Sequence, residues 1–299
     1  MRAVVFDSYG GPEVLRVDEI PEPHAGPGQI RIKVEAASIN PVDYKIRRGY
    51  MSGGKELSGP QQIGADGAGV VDEVGDDVTG VAVGDEVLGV GQGVQAEYAV
   101  LNAWVAKPEG LGWREAGALG VIGETAARGL TLLGTSDGDT VFVDGASGGV
   151  GKIVVQLATV RGAKVIGSAS AGKQDVVAGL GAEPVVYGDG LADRVTAIGS
   201  RVDGVYDTSG KTPIEQLISL VDSPHDVVTI ANFGAADSGV QVTGGGMPGP
   251  DPFGSLTEVI DAYGEGKLTV EVNSVLPFDQ AGVGHEAAEA GTTKVVLVP

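Results

Sequence analysis

Cysteine is absent from this sequence, and histidine occurs only three times, as His24, His225 and His285. Without cysteine the chain forms no disulfide, carries no thiolate nucleophile and binds no iron–sulfur cluster or cysteine-ligated zinc. The three histidines lie far apart, and none has a second ligand at the spacing of a metal site. We therefore predict that no catalytic zinc operates in this protein.

Basic residues are also scarce, since 20 Lys and Arg face 40 Asp and Glu and give a net charge of −20. This balance argues against nucleic acid or an anionic membrane as the main partner. It favours solubility and equally suits a salt-adapted host. The sequence also lacks a long apolar run and a basic leader followed by an apolar segment, so we expect a soluble cytoplasmic protein.

Short apolar runs separated by glycine and proline dominate the first part of the sequence. They predict strands at Ala3–Phe6, Gln29–Ala36, Gly69–Val74, Glu86–Val90 and Gln95–Val100. Strands this short and closely spaced favour a small, partly closed barrel. After Pro108 the pattern changes, and Gly117–Gly134 has the spacing of a helix.

From Asp139 onward strands and helices alternate. An apolar strand at Thr140–Val143 precedes a glycine-rich turn, a helix at Gly151–Arg161 and a strand at Ala163–Gly167. Further strands are predicted at Glu183–Tyr187, Gly204–Asp207 and Val227–Ala231. This alternation predicts a doubly wound parallel sheet.

The end of the sequence predicts a return to the first type of structure. A helix at Ser255–Tyr263 is followed by predicted strands at Leu268–Val272 and Lys294–Val298, which we expect to complete the first lobe. The segment 233–254 is rich in Gly and Pro, with one β-prone stretch at Val240–Thr243. We find no evident position for it inside a compact sheet and expect a subunit contact or a lid.

The most informative stretch is DGASGGVG, residues 144–151, which follows a strand and opens a helix. Its Ala146-x-Gly148-x-x-Gly151 core matches the dinucleotide fingerprint with alanine at the first position. Gly148 allows the backbone to approach a pyrophosphate, and Gly151 allows helix and strand to pack closely. The amides of the first helical turn then supply positive partial charge to the phosphates. The alternative is a tight structural turn.

The end of the second strand indicates which dinucleotide binds. NAD sites usually carry an acid there, whereas this chain has Ser168, Ser170 and Lys173 and no acid between them. Hydroxyl donors and a lysine suit the 2′-phosphate of NADPH. A solvated surface loop is the alternative interpretation.

The sequence shows no evident acid–base catalytic motif. Tyr263 and Lys267 match a Tyr-x-x-x-Lys spacing, but the intervening glycines argue against a helix, so we regard the match as accidental. The reaction that remains is direct hydride transfer from the nicotinamide to a soft electrophile, such as a quinone or an activated C=C bond. Catalysis would then consist mostly of positioning.

Seven ordered motifs resemble the medium-chain dehydrogenase/reductase superfamily, in its zinc-independent quinone oxidoreductase and enone reductase branch. They lie at Gly10–Leu15, Ser38–Lys45, Gly64–Gly75, Val83–Val87, Ala146–Gly151, Asp207–Gly210 and Gly291–Leu297. The resemblance implies a Rossmann sheet at 118–264 and a GroES-like β-barrel domain formed by residues 1–117 and 265–299, with the active-site cleft between them. In zinc-bearing relatives a ligand histidine stands at the position of Ala65.

The resemblance also implies site residues. Gly148, Gly149 and Val150 would meet the pyrophosphate, and Ser168, Ser170, Lys173 and Tyr187 the 2′-phosphate. The nicotinamide side would be formed by Thr125, Ala231, Asn232 and Phe233, with Lys45, Ser147 and Thr208 as further cofactor contacts. Asn40 and Lys45 would orient the substrate oxygen, although Lys45 beside Arg47 and Arg48 also suits a solvated basic face.

These residues favour an NADPH-dependent reductase of quinones or α,β-unsaturated carbonyls that uses solvent for protonation. A nucleotide-binding redox sensor or structural protein without turnover would carry the same binding motifs. A reductase of enoyl thioesters is a third possibility. The resemblance further implies a homodimer, and Val240–Thr243 could pair across a two-fold axis.

Overall fold

The structure is a computed structural model that describes residues 1–244, 249–291 and 294–299. The chain divides into two compact units, one formed by Met1–Val121 with Val270–Pro299 and the other by Ile122–Thr269. Thr292 and Thr293 of the last family motif, and residues 245–248 of the segment 233–254, lie outside the described residues. No helix in the described ranges is long and apolar enough to cross a membrane.

The first unit begins with seven strands and one helix. In chain order they are β1 (Arg2–Phe6), β2 (Arg16–Glu19), β3 (Ile30–Ser38), α1 (Pro41–Arg47), β4 (Gln61–Gln62), β5 (Asp66–Val74), β6 (Glu86–Gln92) and β7 (Tyr98–Ala106). Strands β3, β5, β6 and β7 form a closed antiparallel ladder, because β3 pairs with both β5 and β7. Ile30, Ile32, Val71 and Leu101 fill its interior. The predicted partly closed barrel is confirmed.

The second unit contains a six-stranded parallel sheet. In chain order this part comprises α2 (Trp113–Leu132), which begins in the first unit, then β8 (Thr140–Asp144), α3 (Gly149–Val160), β9 (Lys164–Ala169), α4 (Gln174–Gly179), β10 (Glu183–Val186), α5 (Leu191–Ala197), β11 (Gly204–Asp207), α6 (Ile214–Ile218), β12 (Val227–Thr229), β13 (Gln241–Val242) and α7 (Pro252–Gly264). The strand order is β10-β9-β8-β11-β12-β13. This is the predicted doubly wound arrangement, with its switch point between β8 and β11.

The last elements belong to the first unit and correct one prediction. They are β14 (Ser274–Pro277), α8 (Ala281–Glu289) and β15 (Val295–Val298); β15 pairs with β3, as expected for the predicted strand at Lys294–Val298. The predicted strand at Leu268–Val272 is wrong. Its apolar side chains alternate, but the Gln156 side chain accepts from Thr269 N at 2.8 Å and donates to Thr269 O at 3.1 Å. A side chain thus occupies the backbone groups that a ladder would need.

Two further predictions need correction. The expectation that segment 233–254 has no position in the sheet is wrong for Gln241–Val242, which pairs in parallel with β12 at the sheet edge. The strand predicted at Gln95–Val100 begins only at Tyr98. Gln95 and Glu97 instead bond the backbone of β1, through Val4 N to Gln95 O at 2.9 Å and Glu97 N to Arg2 O at 3.0 Å.

Candidate cofactor-binding site

The fingerprint loop connects β8 to α3 with the expected geometry. A side chain at Gly151 would lie 2.2 Å from Gly145 O, so helix and loop approach too closely for any other residue. At Gly149, by contrast, a side chain would meet nothing within 4 Å, and Gly148 and Gly149 are exposed. The loop therefore packs tightly on its inner side and presents open backbone on its outer side.

Helix α3 leaves its first amides available to a ligand. Its N-cap is Gly148, and no side chain caps the helix there. The amides of Gly149, Val150 and Gly151 therefore lack the side-chain acceptor that usually satisfies a helix N-terminus. Ser147, before the cap, is half-buried. An anionic group such as a pyrophosphate would fit this end of the helix.

Ser168 and Ser170, both expected at the 2′-phosphate, have different environments. Ser168 lies within β9, whereas Ser170 lies in the loop that follows. Ser168 is only 1% exposed, and its hydroxyl donates to Asp144 Oδ1 at 2.6 Å while accepting from Gly145 N at 3.0 Å. The expectation that Ser168 meets a 2′-phosphate is therefore corrected, because the hydroxyl is buried and already bonded. Ser170 is half-buried and Lys173 is exposed.

Tyr187 lies next to this loop. It follows β10, donates its N–H to Ala169 O at 3.2 Å, and is 54% exposed. The backbone pairing brings Tyr187 to the same sheet edge as Ser170 and Lys173. These three residues contribute polar groups to the surface at the carboxyl ends of β9 and β10, and no acidic side chain occurs in residues 168–173.

Two more loops follow β11 and β12 at this edge. The Thr208 hydroxyl donates to Asp144 O at 2.7 Å, so it joins β11 to β8. After β12, the N–H groups of Ala231 and Asn232 donate to Thr229 Oγ1 at 3.2 and 3.0 Å. Ala231 and Asn232 are half-buried, whereas Phe233 is 45% exposed.

On helix α2, Glu124 stands beside Thr125 and pairs with Arg128. Glu124 accepts from Arg128 Nε at 2.8 Å and Nη2 at 3.1 Å, and both side chains are nearly buried. Thr125 itself is 8% exposed, and the Tyr206 hydroxyl donates to its carbonyl. The sequence did not predict the Glu124–Arg128 pair, although the i,i+4 spacing of opposite charges was a signal.

In the first unit, Asn40 belongs to a buried polar cluster. Its amide nitrogen donates to Asp66 Oδ1 at 2.7 Å and Ser38 Oγ at 3.0 Å, and its oxygen accepts from Lys294 Nζ at 2.8 Å. Both amide hydrogens are thus committed within the protein. The expectation that Asn40 itself orients the substrate oxygen is corrected accordingly. Lys45 is half-buried in the last turn of α1.

We call this cluster of Ser38, Asn40, Asp43, Asp66 and Lys294 the Lys294 network. Lys294 also donates to Ser38 Oγ at 2.8 Å, and Asp66 Oδ2 accepts from Val121 N at 2.7 Å. Burial raises the pKa of Asp43 to about 7, and burial lowers the pKa of Lys294. Of these groups, only the Asn40–Asp43 capping box gave a local sequence signal, through Asp43 Oδ2 accepting from Asn40 N at 2.7 Å.

Metal ligands do not assemble in the described ranges, where no group of three His, Cys, Asp or Glu side chains is placed to hold an ion. His285 is buried, with Nε2 3.1 Å from Gln95 Oε1, and burial lowers its pKa to about 3. His24 is exposed beside Glu73.

Comparison with known proteins gives two matching family models and close relatives. The models are described as "Alcohol dehydrogenase GroES-like domain", over residues 26–113, and "Zinc-binding dehydrogenase", over residues 149–247. A 2-methylene-furan-3-one reductase of Solanum lycopersicum is 33% identical, and the alignment covers 100% of this chain and 79% of the relative. A quinone oxidoreductase of Homo sapiens is 30% identical, with coverage of 100% and 98%. A mycobacterial protein solved in complex with NADPH is 29% identical, with a TM-score of 0.84 and 100% of both chains covered.

Proposed function

This chain belongs to the quinone oxidoreductase and enone reductase branch of the medium-chain dehydrogenase/reductase superfamily, and on that premise we propose that it transfers hydride from NADPH to quinones or α,β-unsaturated carbonyls. The observation that carries the proposal is the edge of the parallel sheet. There an uncapped helix N-terminus stands beside the loop after β9, which offers Ser170 and Lys173 and has no acid in residues 168–173, and Tyr187 follows the neighbouring strand β10.

The cofactor fits this edge in two respects. The amides of Gly149 and Val150 would bind the pyrophosphate, since the open space at Gly149 admits a ligand close to the backbone. Lys173, with Ser170 and Tyr187, would bind the 2′-phosphate, because an exposed ammonium and neighbouring hydroxyls complement a dianion. An acid at this point would instead bind the 2′-hydroxyl of NADH.

Bound NADPH supplies the hydride, and the protein supplies position. Thr125, Ala231, Asn232 and Phe233 would flank the nicotinamide, and Ser147 would contact the cofactor. Thr208 joins the end of β11 to β8 beside them. Lys45 would orient the substrate oxygen through its positive charge. Asn40 takes a different role from the one expected, since it fixes the start of α1, the helix that carries Lys45. Solvent completes the protonation.

The proposal includes zinc independence. In zinc-bearing relatives a ligand histidine occupies the position where this chain has Ala65, and this chain has no cysteine at all. The residue after Ala65, Asp66, accepts from Ser38 Oγ at 2.6 Å, and Ser38 Oγ accepts from Lys294 Nζ at 2.8 Å. We therefore expect activity to survive dialysis against a strong chelator unchanged.

Two further expectations accompany the proposal. We propose that the protein acts in the cytoplasm and that it is a homodimer. Light scattering of the purified protein would test the second of these, with a mass close to twice 30.1 kDa as the expected result.

The direct test is NADPH and NADH oxidation against 1,4-benzoquinone, 9,10-phenanthrenequinone, an alkenal and a cyclic enone. We expect turnover with NADPH and at least tenfold lower kcat/KM with NADH, about the effect of one charge-assisted contact. Preference for NADH would contradict the assignment of Lys173. Tight NADPH binding without turnover would support a sensor or structural protein, and activity confined to enoyl thioesters would support the third possibility.

A further inference from the structure

Two buried acids connect the loops at the carboxyl edge of the parallel sheet. Asp144 and Asp207 end the neighbouring strands β8 and β11 and stand opposite each other in register. Their exposed fractions are 1% and 0%. Side chains so enclosed do not contact a ligand themselves, so their role depends on the groups that they bind.

Asp144 connects the loops after β8 and β11 with the end of β9. Its Oδ1 accepts from Ser168 Oγ at 2.6 Å, and Ser168 Oγ accepts from Gly145 N at 3.0 Å. Its Oδ2 accepts from the hydroxyl of Ser209, in the loop after β11. One carboxylate therefore fixes the start of the fingerprint loop and the end of the strand that precedes Ser170 and Lys173.

Asp207 holds the loops after β11 and β12. Its Oδ1 accepts from Ser209 N at 2.9 Å and Gly210 N at 2.8 Å, and its Oδ2 accepts from Thr229 Oγ1 at 2.7 Å. Thr229 Oγ1 in turn accepts from the N–H groups of Ala231 and Asn232. Because Ser209 bonds both acids, the hydrogen bonds run without a break from Gly145 to Asn232.

We infer that Asp144 and Asp207 are positioning residues that hold the loops of the dinucleotide site, Asp144 for the half that binds the adenosine 2′-phosphate and Asp207 for the half that binds the nicotinamide. This inference rests on the proposed function. We call the set of Asp144, Ser168, Asp207, Ser209 and Thr229 the edge network.

The chemistry requires carboxylates at both positions. Each carboxylate accepts on both oxygens, Asp144 from two hydroxyls and Asp207 from one hydroxyl and two N–H groups. An asparagine would replace one carboxylate oxygen, an acceptor, by an NH₂ group, which is a donor. The hydroxyl that donated to that oxygen would then have no acceptor. Asp144→Asn and Asp207→Asn therefore keep the shape and break one link each.

The test compares two ligands by isothermal titration: NADPH and adenosine 2′,5′-bisphosphate, which lacks the nicotinamide half. For Asp144→Asn we expect Kd to rise roughly tenfold for both ligands, the typical effect of one lost bond to a charged group. For Asp207→Asn we expect a rise of roughly tenfold for NADPH and less than twofold for the bisphosphate. The control is Asp261→Asn, which removes an exposed acid of α7 from the same unit and should change neither Kd.

Other outcomes overturn the inference. If Kd rose equally for both ligands in both variants, the substitutions would have loosened the whole unit and not one half of the site. If the Kd values did not change, the acids would not position the loops. Wild-type protein that binds neither ligand would overturn the proposed function itself and this inference with it. If Asp144→Asn fails to fold, Ser168→Ala tests the same link, with an expected rise of about threefold in Kd for the bisphosphate.

Discussion

The buried aspartates compared between the two units have different surroundings. In the first unit, Asp43 and Asp66 share the Lys294 network with an ammonium group. In the second unit, Asp144 and Asp207 are surrounded by hydroxyl and N–H donors, and no lysine or arginine of the described chain forms an ion pair with them. The second unit instead keeps Lys173 at the surface. The comparison suggests two uses of lysine: Lys294 lies among buried acids and serves the fold, whereas we propose that the exposed Lys173 serves an anionic ligand.

The largest expected effect comes from removing the internal cation. Lys294→Met should lower the free energy of unfolding by about 3 kcal/mol, because it leaves Asp43 and Asp66 enclosed without their ammonium partner. Chemical denaturation at pH 7.5 measures this change. The matched control is Lys33→Met, which removes an exposed lysine of β3. Equal losses in the two variants would show that Lys294 does not stabilise the buried acids.

The second prediction concerns the pH dependence of stability. Since the folded pKa of Asp43 is about 7, well above its usual value, the folded protein holds a proton that the unfolded chain releases. The stability from this proton is present at pH 4 and is lost as the pH rises through 7. Between pH 5 and pH 8 the free energy of unfolding of the wild type should therefore fall by about 2 kcal/mol more than that of Asp43→Asn. Parallel stability curves for the two proteins would contradict this assignment.

The third prediction concerns the external lysine. Lys173→Ala should raise KM for NADPH roughly tenfold and leave KM for NADH unchanged, because only NADPH carries the 2′-phosphate. Its control is Lys164→Ala, an exposed lysine at the opposite end of β9. If both variants or both cofactors respond alike, Lys173 contributes only general charge. The distinction between an internal and an external lysine would then fail.

The smallest expected effect is the loss of one neutral member of the edge network. Thr229→Val removes the hydroxyl that donates to Asp207 and accepts from two backbone N–H groups. Stability should fall by about 1 kcal/mol, less than for the Lys294 variant, because no charged group is removed. Thr140→Val, at the amino end of β8, is the control. If the free energy of unfolding fell as much as in Lys294→Met, the predicted difference between a charged and a neutral network member would be wrong.

The sequence predicted those features that depend on local pattern. Alternating apolar strands and helices indicated the parallel sheet, and DGASGGVG indicated the loop between β8 and α3. Helix α1 was missed, although Asn40, Pro41 and Asp43 form a capping box with proline at the first helical turn. The strand predicted at Leu268–Val272 failed because the competing partner, Gln156, is a side chain.

The buried networks could not be predicted from local pattern. Ser168 lies 24 positions from Asp144, and Lys294 lies 254 positions from Asn40. Such contacts exist only once the fold brings the strands together. For this reason Ser168 was expected to meet the 2′-phosphate and Asn40 to orient the substrate oxygen, although both are buried. Ser170 is half-buried and Lys173 is exposed, so their contact with the 2′-phosphate stays a prediction.

The central claim is that hydride passes directly from NADPH to the substrate, and isotope transfer tests it most directly. The protein would be incubated with a cyclic enone and, separately, with NADPH that carries deuterium on either face of nicotinamide C4. Mass spectrometry of the saturated ketone should show one deuterium on the β-carbon from one of the two labelled cofactors and none from the other. NADPH oxidation that leaves no deuterium in the product from either cofactor would contradict the account.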